Sequence, residues 1–148
     1  MKTKTFGLAL VVLLICNANT TSSFAQPSPD EDRKWCQQEE AKLAIELKLP
    51  KDFDEKKVGK LRAIVLFHLT KDGHATKIKP LRKNAADRAE ITIPEKKFVE
   101  VENAMIAAVK SSEPMKPIPP SFSKDGEGVS FAYEPKADKR IRVLVVAE

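Results

Sequence analysis

The chain has 148 residues, with 26 Lys and Arg against 21 Asp and Glu, a formal net charge of +5 and two cysteines. Basic and acidic residues are interspersed and no basic stripe alternates with aromatics, which argues against nucleic-acid binding. The apolar run Phe6 to Cys16 is 11 residues long, against about 20 for a membrane-spanning helix, so a retained span is the weaker reading.

The first 25 residues read as a secretory signal peptide. Lys2 and Lys4 precede the apolar run, residues 17–23 are polar and small, and Ser23-Phe24-Ala25 places small residues at the third and last positions before a cut. Cleavage is expected between Ala25 and Gln26. It would leave 26–148 as a single domain of 123 residues, and losing Lys2 and Lys4 lowers the charge from +5 to +3. The expected location is periplasmic or secreted. Membrane association is expected only if the signal is retained or Cys16 is lipid-modified, and Ile15 before Cys16 is a poor fit to the small residue that usually precedes a lipidated cysteine. The mature chain keeps one cysteine, Cys36, so it has no internal disulfide; beside Trp35 on an expected helix, the thiol is expected to be buried.

Ser28-Pro29-Asp30-Glu31-Asp32 has the marks of a helix start: a capping hydroxyl, proline at the first position and acids in the first turn. Cys36, Leu43 and Leu47, with Trp35, Ala44 and Leu49 nearby, predict an amphipathic helix over 30–47 that stops at Pro50. Residues 59–70 predict a strand, with Leu61, Ala63, Val65, Phe67 and Leu69 on one face. The other face carries Arg62, Ile64, Leu66, His68 and Thr70, half apolar and so partly covered. Asp72-Gly73 supplies a tight turn into a second strand over 75–82, where Pro80 donates no ladder bond and marks an edge or a bulge. Phe98, Val101, Met105, Ala108 and Val109 recur at helical spacing and predict a helix over 95–111. Four prolines within 114–120 then forbid further helix. Alternation predicts strands over 128–133 and 140–147. The order implies an α+β fold: a small antiparallel sheet of three to four strands with two helices packed on one face.

In residues 60–133, an alternating strand Leu61 to Leu69 leads into Lys71-Asp72-Gly73 and a short strand holding Ile78. A helix ending Asn103 to Ser112, the stretch Glu113-Pro114-Met115-Lys116-Pro117-Ile118-Pro119-Pro120 and a closing strand Val129 to Tyr133 follow. This succession resembles the carboxy-terminal domain of the TonB and TolA envelope proteins. The resemblance implies recognition of another envelope protein, usually through a sheet edge. The chain departs from TonB-type transducers in lacking a long Pro-rich spacer and a recognisable anchor, and its last strand extends past the end expected of that domain.

No residue set in the sequence carries catalytic chemistry, so no catalytic residue, cofactor or metal is expected. His68 and His74 have no second ligand at metal spacing and are expected to be a sheet-face side chain and a solvated turn residue. Asp52 and Asp54 are explained by surface charge, Gly126 and Gly128 form no phosphate loop, and Ser121 lacks a nucleophile-elbow context. The 114–120 stretch is expected to be a stiff connector, with Met115, Ile118 and Phe122 packing on the core, rather than a polyproline ligand. The functional expectation is an exported, non-catalytic binding module of the cell envelope. Its partner is expected to pair with the terminal strand through Arg140, Ile141, Arg142, Val143, Leu144 and Val145, with Lys139, Arg140 and Arg142 guarding that edge and meeting a partner's acids, or else with the Pro80-bearing strand at the opposite edge. The alternatives are a secreted enzyme or enzyme subunit, and a structural accessory protein bound to cell wall or lipid.

Overall fold

The computed structural model describes residues 29–81, 93–120 and 128–146. The expected cleavage point between Ala25 and Gln26, Cys16, the capping Ser28, Ser121, Phe122 and Gly126 lie outside them. The element order is α1 (Pro29–Glu46), β1 (Ala63–Leu69), β2 (Ala75–Pro80), α2 (Glu95–Ser111), β3 (Gly128–Tyr133) and β4 (Ile141–Val146). Among the described residues no helix is long and apolar enough to cross a membrane.

The four strands form one antiparallel sheet in the order β2-β1-β3-β4, so the chain's first two strands occupy one half and its last two the other. Period-two alternation decides what each face holds. Ala63, Val65, Phe67 and Leu69 of β1 and Val129, Phe131 and Tyr133 of β3 are buried, together with Val143 of β4. The helices cover that face: α1 lies against β4 and α2, and α2 against β1 and β2. On the other face Ile64 is buried among its strand neighbours, Leu66 and His68 are half-buried, and Leu144 is 55% exposed. This is the half-covered second face that the alternating pattern implies.

Each helix follows from its sequence. Proline at the first position and Asp30, Glu31 and Asp32 in the first turn suit the positive end of the α1 dipole. Pro50 and the turns beyond it end the segment, with Asp54 Oδ1 accepting the Lys56 N–H at 3.0 Å. α2 buries Val101, Met105, Ala108 and Val109, the stripe expected from its spacing. The α1 stripe differs from expectation. Trp35 and Leu43 are buried and Cys36 and Leu47 are half-buried, but Ala44 is exposed, and the middle of the face is filled by two glutamates, Glu39 and Glu40.

The segment after α2 is a fastened connector, in keeping with the stiff-connector expectation. Met115 is buried and its N–H donates to Gly73 O at 2.8 Å in the β1–β2 turn. Trp35 Nε1 donates to Lys116 O at 3.1 Å, Lys42 Nζ to Pro114 O at 2.8 Å, and Lys116 Nζ to Gln38 Oε1 at 2.7 Å. The connector thus runs between α1 and the hairpin turn with the carbonyls of Pro114 and Lys116 engaged.

Candidate functional site

Strand pairing sets which backbone groups face outward. Glu134 N–H donates to Arg140 O at 2.8 Å, which makes Glu134 and Arg140 a bonded pair at the mouth of the β3–β4 hairpin. Alternation of bonded and non-bonded pairs then follows along the register Ala132↔Arg142, Ser130↔Leu144, Gly128↔Val146. Arg142, Leu144 and Val146 turn their backbone towards β3. Ile141, Val143 and Val145 turn theirs away from the sheet, at its free edge, while their side chains point to the helix-covered face. The six residues expected to form one partner surface are therefore two sets: an outward backbone at 141, 143 and 145, and the side chains of Arg142 and Leu144 on the opposite, open face. Arg140 precedes β4.

The outward N–H at the middle of the edge is occupied. Val143 N–H donates to Glu40 Oε1 at 2.9 Å, a buried bond between residues 103 positions apart. Glu40 Oε2 forms an ion pair with Lys139 Nζ. Arg140 is likewise engaged: its guanidinium binds Glu55 Oε1, which also accepts the Tyr133 hydroxyl at 2.7 Å. Burial, followed by the hydrogen bond to Glu55, pushes the Tyr133 phenol well above its ordinary value. Two of the three basic residues expected to meet a partner are thus paired within the chain, which leaves Arg142, exposed on the open face, as the charge best placed to do so.

The opposite edge is built on the same plan. Ala75 N–H donates to Glu113 Oε1 at 2.9 Å, and Glu113 Oε2 lies 3.3 Å from His74 Nδ1. The Ala75 bond, then desolvation in the opposite sense, then His74 act on the Glu113 carboxyl, and the net effect holds it below its ordinary value. β2 carries two further obstacles. The register shifts between Leu66 and His68, where Lys77 adopts φ 50°. Leu81 N–H donates to Ile64 O at 2.8 Å, so Pro80 falls in a non-bonded position with its ring nitrogen facing outward and no hydrogen to offer.

The remaining residues singled out in the sequence lie apart from these edges or support them. His68 sits half-buried on the open sheet face. His74 is a solvated turn residue, as expected, and its Nδ1 lies 3.3 Å from Glu113 Oε2. Cys36 is half-buried against the core instead of fully enclosed; burial raises its thiol pKa, and the nearby Glu40 and Asp32 charges raise it further. Asp52 pairs with Lys97 and Asp54 with Lys57 at 3.4 Å. An open depression on the surface is lined by residues 51–56. Among the described residues no three His, Cys, Asp or Glu side chains gather as metal ligands do.

Glu40 and Glu113, the two carboxylates that hold the sheet edges, escape a reading of the sequence. For Glu40 a signal exists: Cys36, Glu40, Leu43 and Leu47 share one helical stripe, so a charged residue stands where the spacing calls for an apolar one. Glu113 has no comparable signal. Comparison of the chain with protein-family models, curated proteins and solved structures finds no match.

Proposed function

We propose that this chain is an exported binding module of the cell envelope, without catalysis of its own, which recognises another envelope protein by adding a strand of that partner to the edge of β4. The observation that carries the reading is the position of β4: the outermost strand, in unbroken register with β3, with the backbone of Ile141, Val143 and Val145 turned outward. An extended segment meeting such an edge gains main-chain hydrogen bonds without altering the sheet behind it. The resemblance of residues 60–133 to the TonB and TolA carboxy-terminal domain supports the same mode. β2 is the poorer acceptor, because the bulge at Lys77 and the outward Pro80 interrupt its edge.

The test is site-directed photocrosslinking in cells of the native host. A photoreactive residue is placed in turn at Ile141 and Val145, and at Ile78 as a control on the other edge. The expected result is one discrete adduct from the β4 positions, absent from the control, whose crosslinked peptide is an extended segment of an envelope protein. Adducts arising only from β2, or none from either edge, would reject β4 as the recognition surface.

A further inference from the structure

We propose that Glu40 is a removable lock on the β4 edge: its carboxylate imitates an incoming strand, and an acidic extended segment opens the edge by taking its place. This rests on the edge-pairing reading above and adds how that edge is regulated.

The geometry is that of a stand-in. A pairing strand would supply a carbonyl oxygen to the outward N–H of Val143, and Glu40 Oε1 already holds that position at 2.9 Å. The carboxylate is fixed at its other oxygen by Lys139, two residues before β4. Glu40 reaches the edge from α1, which lies along β4. It is 8% exposed, so the carboxylate closes the middle of the strand and is not a loosely solvated surface charge. Ile141 and Val145, one outward position to either side, belong to the same unbroken register. One side chain thus blocks three consecutive outward pairing positions by occupying the central one.

The exchange keeps both Val143 and Lys139 partnered while Glu40 is released. When a strand arrives, its carbonyl replaces Glu40 Oε1 on Val143, and a carboxylate in that strand replaces Glu40 Oε2 on Lys139. Arg142, exposed on the open face of the same strand, adds a second point for an acid. A neutral or basic strand restores the hydrogen bond but leaves Lys139 without a counter-charge, so the lock discriminates in favour of acidic segments. It also keeps β4 from pairing indiscriminately, the hazard of any free edge. The β2 edge does not need release of this kind, because its bulge and Pro80 obstruct pairing even with Glu113 withdrawn.

The test uses the full chain, its Glu40→Ala, Glu40→Gln and Lys139→Gln variants, and a fluorescent probe peptide of sequence Asp-Thr-Val-Thr-Val-Thr-Val-Asp. Amide exchange at Val143 and peptide affinity are measured, with near-ultraviolet circular dichroism as the check on folding. Glu40→Ala is expected to speed Val143 exchange and tighten peptide binding about tenfold, the net worth of one charge-assisted hydrogen bond. Glu40→Gln, neutral but still an acceptor, is expected to give a clearly smaller gain. Lys139→Gln lies on the surface and leaves α1 intact, so it loosens the lock even if the Glu40 variants fold poorly; it is expected to speed Val143 exchange by itself. Equal gains from Ala and Gln would mean that only charge had changed and would overturn the lock. Unchanged Val143 exchange in Glu40→Ala and Lys139→Gln, or wild-type affinity in every variant, would overturn it while leaving edge pairing standing. Self-association of Glu40→Ala without peptide would make the occupant a second copy and overturn the acidic segment. Absence of peptide binding by any form would overturn the edge reading and the lock together.

Discussion

Phe67 and Met105 are both fully buried, one on β1 and the other on α2, so each fills space that no neighbour can reclaim. Truncating Phe67 to Ala is expected to destabilise by about 3–5 kcal/mol and Met105 to Ala by about 2–5 kcal/mol. His74→Ala should change stability by less than about 0.5 kcal/mol, because an exposed pair at the surface contributes little. Denaturant melts rank the three, and a His74 variant costlier than the core truncations would contradict the face assignment. Gly73 is a different kind of residue. It has φ 83°, and a Cβ built on it would meet Met115 O at 2.2 Å, so Gly73→Ala strains the backbone and parts the turn from the connector. A loss of about 1–3 kcal/mol is expected in the same melts. Glu113 adds a pH dependence. Its carboxyl is held below the ordinary value of 4.5, so it contributes stability above that value and loses the contribution as pH falls through its lower folded value. Glu113→Gln should therefore be less stable than the wild type at about pH 6, with the difference shrinking as the pH is lowered below the ordinary value of 4.5. A gap independent of pH would show that the carboxylate charge plays no part.

At the scale of the element, β4 shows how backbone direction and side-chain exposure separate. Leu144 has an exposed side chain but turns its N–H into the ladder, opposite Ser130. Val145 is partly buried but turns its N–H outward. Proline at 144 removes a ladder bond and leaves a β3 carbonyl short of its donor, a loss of about 1–3 kcal/mol. Proline at 145 removes no ladder bond, so Leu144→Pro is expected to be the more destabilising change, against the order that side-chain burial alone would give. Thermal melts decide it; the reverse order would mean that the outward set is 142, 144 and 146. Val143 is not a neutral place for such a probe, since its N–H is bonded to Glu40. Three strands were legible from alternation to within two residues of their bounds, β3 over 128–133 as expected, while β1 is trimmed from 59–70 to 63–69. The α1 stripe was legible only in part. Hydrophobic spacing identifies Trp35, Cys36, Leu43 and Leu47, but it cannot foresee that Glu39 and Glu40 are buried to serve Lys116 and Val143, partners some 77 and 103 residues away.

At the scale of the whole molecule, the proposed export and the proposed recognition meet. The exported form is expected to begin at Gln26, which intact mass of the protein recovered outside the cytoplasm will show; a mass retaining residues 1–25, or one carrying acyl chains on Cys16, would replace soluble export by attachment to a membrane. The sequence by itself determined the α+β class, five of the six elements to within a residue or two of their bounds, and which face of β1 and β3 is buried. Those properties depend on local periodicity, turn chemistry and proline, all of which act over a few residues. Only the tertiary structure decided the strand order β2-β1-β3-β4, the division of β4 into an outward backbone set and an open-face set, and the presence of a carboxylate on each edge. Those depend on pairings between segments far apart in the chain, where loop closure brings together groups whose spacing in sequence carries no trace of their meeting.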